Sequence, residues 1–203
     1  MDMDLVHPYE KLTLVQVGWP VAVYLIATHL FMLLKPDFCQ TWLKKLPRHY
    51  NAGVIVMCLA MGWFWLLVAP EQNSIVPILS SLSRNLAEFN AAKPLLRIAV
   101  PIFCIGMCLY VREFLFVRGL GMLALMAAGP LMQAAMFQDE PTRVLIPIFG
   151  YAIVTAGVFF VGLPYLFRDL VNWVVAERMR WNMLVSAGLV YGIAVLACTL
   201  MAW

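Results

Sequence analysis

The chain has 203 residues, 64% of them hydrophobic and 12% charged, with a mean hydropathy of +0.86. A soluble fold of this length cannot bury that much apolar surface, so the composition excludes a water-soluble globular domain. The formal charge of +3 comes from basic residues dispersed between apolar runs rather than gathered on one face, which argues against nucleic acid as a partner and for the lipid bilayer.

Taken in order, the acidic start Met1-Asp2-Met3-Asp4 lacks the basic lead and the cleavage site of a secretory signal, so the first apolar run is expected to stay as an anchor. That run, residues 12–34, is long enough to cross a hydrocarbon core of roughly 30 Å at about 1.5 Å per helical residue. His7-Pro8 before it marks a turn or helix start. The link that follows, residues 35–51, carries Lys35, Lys44, Lys45 and Arg48 and is the most basic connection in the chain. A second span is expected over 52–69, with Trp63 and Trp65 toward the end where an aromatic belt sits.

Within residues 75–90, Ile75, Ile78, Leu79, Leu82, Leu86 and Phe89 recur at helical spacing opposite Ser81, Arg84, Asn85 and Glu88. That pattern predicts an amphipathic interfacial helix, too polar to span. Spans three and four, 95–111 and 119–137, form a transmembrane hairpin about the charged turn Arg112-Glu113 and Arg118. A fifth span covers 143–163, a second interfacial helix covers 165–180, and a sixth span covers 182–202. The fold class is therefore an all-α, polytopic transmembrane bundle of six spans with two amphipathic interfacial helices, in one domain.

Alternate loops sort the basic residues unevenly. One side receives Lys35, Lys44, Lys45, Arg48, Arg112, Arg118, Arg168, Arg178 and Arg180; the other receives Lys11, Arg84, Lys93, Arg97 and Arg143. The positive-inside rule then predicts cytoplasmic basic loops and both termini outside, in a bacterial inner membrane. Spans one and four each carry a Gly/Pro interruption, Gly18-Trp19-Pro20 and Gly129-Pro130, but both fall toward the same side, which speaks against an inverted repeat.

Five cysteines, Cys39, Cys58, Cys104, Cys108 and Cys198, form an odd set with four inside apolar runs, so no disulfide framework is implied. Cys104 and Cys108 lie one helical turn apart on a single face of span three, while span two offers Met57, Cys58 and Met61 and span four offers Met122 and Met126. Thioether and thiolate are the donors that soft ions such as Cu(I) prefer, so these seven residues are the candidate metal ligands; the bland alternative is that flexible thioethers fill an irregular core. On span four the methionine face opposes an alanine face expected to pack against a neighbouring helix.

His29, the one histidine within a span, is the candidate cofactor ligand or proton relay, against the plainer role of a ring bonded to a backbone carbonyl or Thr28. No second membrane histidine exists to complete a bis-histidine haem, and the sequence specifies no cofactor. Arg112, Glu113, Arg118, Arg168 and Asp169 emerge on one side and are candidates for docking anionic lipid or another membrane subunit, with pairing between the two loops also open. HExxH, P-loop, GxGxxG and GxSxG patterns are absent, and Gly119-Leu-Gly121 lacks the third glycine. The sequence therefore favours a non-catalytic accessory or scaffold subunit, then a small-solute or soft-metal carrier, with a lipid-directed enzyme third.

Overall fold

The computed structural model describes residues 7–70, 83, 84, 86–136 and 138–203. Among them every regular element is helical: α1 (Leu14–Leu34), α2 (Pro36–Lys45), α3 (Tyr50–Val68), α4 (Lys93–Tyr110), α5 (Leu115–Ala135), α6 (Leu145–Gly162), α7 (Tyr165–Ala176) and α8 (Arg178–Met201). Six of these, α1, α3, α4, α5, α6 and α8, are long and apolar enough to cross a membrane. The protein is an integral membrane protein with an all-helical bundle.

Local chemistry sets the boundaries. Thr13 and Gln16 close a reciprocal capping box at the start of α1, and His49 Nδ1 accepts from the Ala52 amide at the start of α3. Residues 35–51, read from sequence as a basic link, instead hold α2. Pro36 sits at its first position, Asp37 in its first turn and Lys44 and Lys45 in its last, an order that complements the helix dipole. The second interfacial helix ends at Ala176, earlier than expected, because Glu177 is extended; Arg178 and Arg180 then begin α8. Arg118 likewise lies in the first turn of α5 rather than in the hairpin turn. The expected helix over 75–90 lies outside the described residues except at 83, 84 and 86–90, and the described Ala87–Ala92 stretch is a 3-10 turn.

Glycines decide which helices touch. A Cβ on Gly53 would meet the Phe116 amide at 2.8 Å and one on Gly119 the Met57 amide at 2.8 Å, so α3 and α5 approach backbone to backbone. Gly121 and Gly157 do the same for α5 and α6, each Cβ falling 2.8 Å from the other's carbonyl oxygen. Gly119 and Gly121, two residues apart, thus point to opposite sides of α5 and make it the central helix. Gly18, Gly188 and Gly192 bring α8 onto α1. In lipid, where no hydrophobic drive holds helices together, such close approach supplies the association energy. Pro20 and Pro130 sit within continuous helices and line one groove between α1 and α5.

Polar ties close the end where the first and last helices meet. Trp203 Nε1 donates to Thr142 Oγ1 at 2.8 Å, and Trp63 Nε1 donates to the Tyr9 hydroxyl. Lys93, 5% exposed, donates through Nζ to Ser83 Oγ at 3.0 Å and to the carbonyls of Arg84 at 3.0 Å and Pro70 at 3.4 Å. Lys93→Met keeps most of the apolar stem but strands these acceptors, at about 1–3 kcal/mol. We expect a lowered thermal midpoint in detergent and faster proteolysis between Ala69 and Lys93; an unchanged midpoint and cleavage rate would contradict it.

Candidate thiol and thioether centre

The α3–α4 contact carries the densest chemistry of the described residues. The two helices run antiparallel and are pinned near one end by the Tyr50 hydroxyl, which donates to the Cys108 carbonyl at 3.0 Å. Toward the other end, Pro101 has no amide hydrogen for the Arg97 carbonyl, and the Trp65 indole donates to that carbonyl instead at 3.1 Å. Between these two ties lie Cys58 from α3 and Cys104 and Cys108 from α4. Their three Sγ atoms all fall within 4.8 Å of one another, with Cys104 Sγ 4.0 Å from Cys58 Sγ. The thiols are free, since a disulfide requires sulfurs about 2.05 Å apart.

Sulfur continues away from the triad. Met61, 4% exposed, shares with Cys58 and Cys104 a cleft of about 290 Å³ that also touches Trp65 and Pro101. The same Met61 lines a second cleft of about 390 Å³ together with Met122 and Met126 of α5. Five of the seven expected soft ligands line these two clefts, and Cys108 joins them through the thiol triad, across three helices. Met57 belongs to the same cluster but is fully buried, with its backbone against Gly119, and lines neither cleft. Met107 joins the same cluster and was missed in the sequence, although its spacing of three from Cys104 places it on the same side of α4.

The alanine face of α5 divides. Ala128, Ala134 and Ala135 are buried, whereas Ala124 and Ala127 line the groove beside Pro20 and Pro130.

The charged candidates are not brought into one site. Arg168 pairs with its neighbour Asp169 at 2.9 Å, both about half exposed, so the local partner wins over a cross-loop one. Arg112 stands 5.9 Å over the Tyr50 ring and Glu113 is exposed. Arg118 is half-buried, and its Nε has no acceptor among the described residues. His29 is half-buried in α1, with Nδ1 2.7 Å from the Leu25 carbonyl and 3.3 Å from Thr28 Oγ1. Cys39, on α2 outside the spans, is a buried thiol whose pKa burial pushes up, leaving it protonated and unreactive at neutral pH.

No known protein family matches this chain, and no curated protein or solved structure is significantly similar to it.

Proposed function

We propose that this membrane protein binds a soft monovalent metal ion, Cu(I), at Cys58, Cys104 and Cys108, and that it acts as a soft-metal carrier or donor within the bilayer. One observation carries this reading: three thiols from two helices converge within 4.8 Å. Trigonal ligation at a metal–sulfur distance of about 2.3 Å separates the sulfurs by about 4 Å, the spacing of Cys58 and Cys104. Soft sulfur donors select Cu(I), and the Met61 thioether beside the triad suits it better than it suits zinc. Each cysteine that ligates the ion does so as thiolate and gives up its proton on binding. Competitive titration of the purified protein with a Cu(I) chelator tests the proposal. One ion per chain, with weaker Zn²⁺ binding, supports it; no retention of Cu(I) against a weak competitor overturns it.

An accessory role among other membrane chains is the second reading. It draws support from α4, where only Lys93 and Val100 are buried while Ile98, Ile102, Ile105 and Leu109 remain exposed along the helix. Native mass spectrometry from gently solubilised membrane separates the two, because an accessory subunit carries stoichiometric partners.

The threading that accompanies both readings has nine basic residues on the cytoplasmic side and five outside, counted over all 14, in a bacterial inner membrane. A reporter fused after Trp203 should behave as extracytoplasmic; cytoplasmic behaviour would reverse the orientation.

A further inference from the structure

The sulfur triad can do chemistry besides metal ligation. Cys58 stands on α3, whereas Cys104 and Cys108 stand on α4, so a bond between these two helices within the triad must use Cys58. Cys58 is exposed and Cys104 half-buried, and the cleft they share opens on the lipid-facing surface through Cys58, Gly62, Pro101 and Ile105, all of them exposed. Gly62 lies one turn from Cys58, and nothing stands within 4 Å of a Cβ built there, which leaves room for a small apolar reagent beside the thiol.

The Sγ atoms of Cys58 and Cys104 are 4.0 Å apart. A disulfide needs about 2.05 Å, a difference that rotation of two unbranched side chains about χ1 can take up. The ties at Tyr50 and Trp65, on either side of the pair, keep the two helices in contact while the sulfurs turn.

We infer that Cys58 and Cys104 are a redox pair: an apolar disulfide dissolved in the bilayer oxidises them to an inter-helical disulfide, and the centre holds its metal only while reduced. The oxidation stands on the thiol geometry alone, and the loss of metal rests on the Cu(I) reading above. The exposed Cys58 thiolate attacks one sulfur of the reagent, whose S–S bond breaks, and one half leaves as a thiol with the proton that Cys58 gave up. The Cys104 thiolate then attacks Cys58 Sγ in the mixed disulfide. The inter-helical S–S bond forms, and the second half leaves as a thiol with the Cys104 proton. Two thiols are oxidised and one disulfide is reduced, so the balance needs no other electron acceptor, and an excess of a reducing thiol runs the exchange backward. The reagent must be apolar because a charged one is costly to bring to this depth. Once the pair is closed, neither sulfur is a thiolate, and Cys108 is the one thiol of the triad left for the ion.

The test treats the purified, metal-free, full-length protein in detergent with dithiodipyridine and maps its peptides by mass spectrometry without reduction. We expect the Cys58 and Cys104 peptides joined, lighter by two hydrogens and free of pyridyl label, with any retained label on other cysteines. With the reagent at about 0.1 mM and the partner thiol at an effective concentration of about 1 mM or more, closure should outrun labelling of the second thiol at least about tenfold. Dithiothreitol should restore both thiols. Cys58→Ser should remove every cross-link between α3 and α4, whereas Cys108→Ser should keep it. The cross-linked protein should bind Cu(I) more weakly than the reduced protein by a factor on the order of 100 or more. Pyridyl label retained on both Cys58 and Cys104, a cross-link to Cys108 instead, or one that forms only in denaturant overturns the redox pair. Equal Cu(I) affinity before and after closure overturns its control of the metal. A cross-link in a protein whose reduced form binds no Cu(I) leaves the redox pair standing and removes the metal reading instead. The map of the unsubstituted protein decides the pairing even where a variant fails to fold.

Discussion

Cys104→Ser should lower Cu(I) affinity by a factor on the order of 100, because it replaces a soft sulfur by a hard hydroxyl at the thiol that approaches Cys58 to 4.0 Å and shares the Met61 cleft. The exchange is nearly isosteric, and Cys104 is only half-buried, so the thermal midpoint of the metal-free protein should hardly move. Cys198→Ser on α8 is the matched control and should leave affinity unchanged. Met122→Leu with Met126→Leu should have a smaller effect than Cys104→Ser, since those thioethers meet the triad only through Met61. Binding must expel the proton of the thiol that becomes the ligand, so acid competes with the metal. Each thiolate ligand formed releases one proton, so apparent affinity should fall at least about tenfold per pH unit as pH is lowered, and more steeply when two or three thiols ligate. A chelator titration across several pH values reads both effects. Equal affinity in Cys104→Ser and the parent, or affinity independent of pH, would sink the metal reading.

The second large effect concerns stability. Gly121→Ala introduces a Cβ 2.8 Å from the Gly157 carbonyl and 3.0 Å from Phe160 Cβ, and the carbonyl is backbone that cannot rotate away. Opening the α5–α6 contact should cost about 2–3 kcal/mol, seen as a clear drop in thermal midpoint in detergent. Gly157→Ala should cost a similar amount by the reciprocal clash. The double variant should cost less than the sum, since one separation relieves both. Gly62→Ala and Gly106→Ala provide controls of opposite sign: nothing lies within 4 Å of either position, so each should stabilise its helix by about 0.5–1 kcal/mol. A neutral Gly121→Ala would mean that α5 and α6 do not pack this closely.

The six spans were legible because each is a long apolar run whose length matches a bilayer, a property of composition alone. That Cys104 and Cys108 share one face of their helix was legible too, because they fall one turn apart whatever their neighbours do. Helix α2 was not, since it is short and polar and its amphipathic face, through Cys39 and Leu43, gains a partner only against Trp181 and Val185 in the folded bundle. Pairing of the spans also escaped sequence reading, although Gly188 and Gly192 stand at the GxxxG spacing that signals close helix contact. Nothing in the sequence singles out Trp181; only its burial without an acceptor among the described residues does.

What the sequence determined by itself is the helical class, the span number and the inventory of sulfur, because hydropathy and spacing act within one helix. Which thiols meet, which glycines touch and which nitrogen goes unpaired were decided by the tertiary structure, because those contacts join residues far apart in the chain and depend on how closely two backbones can approach.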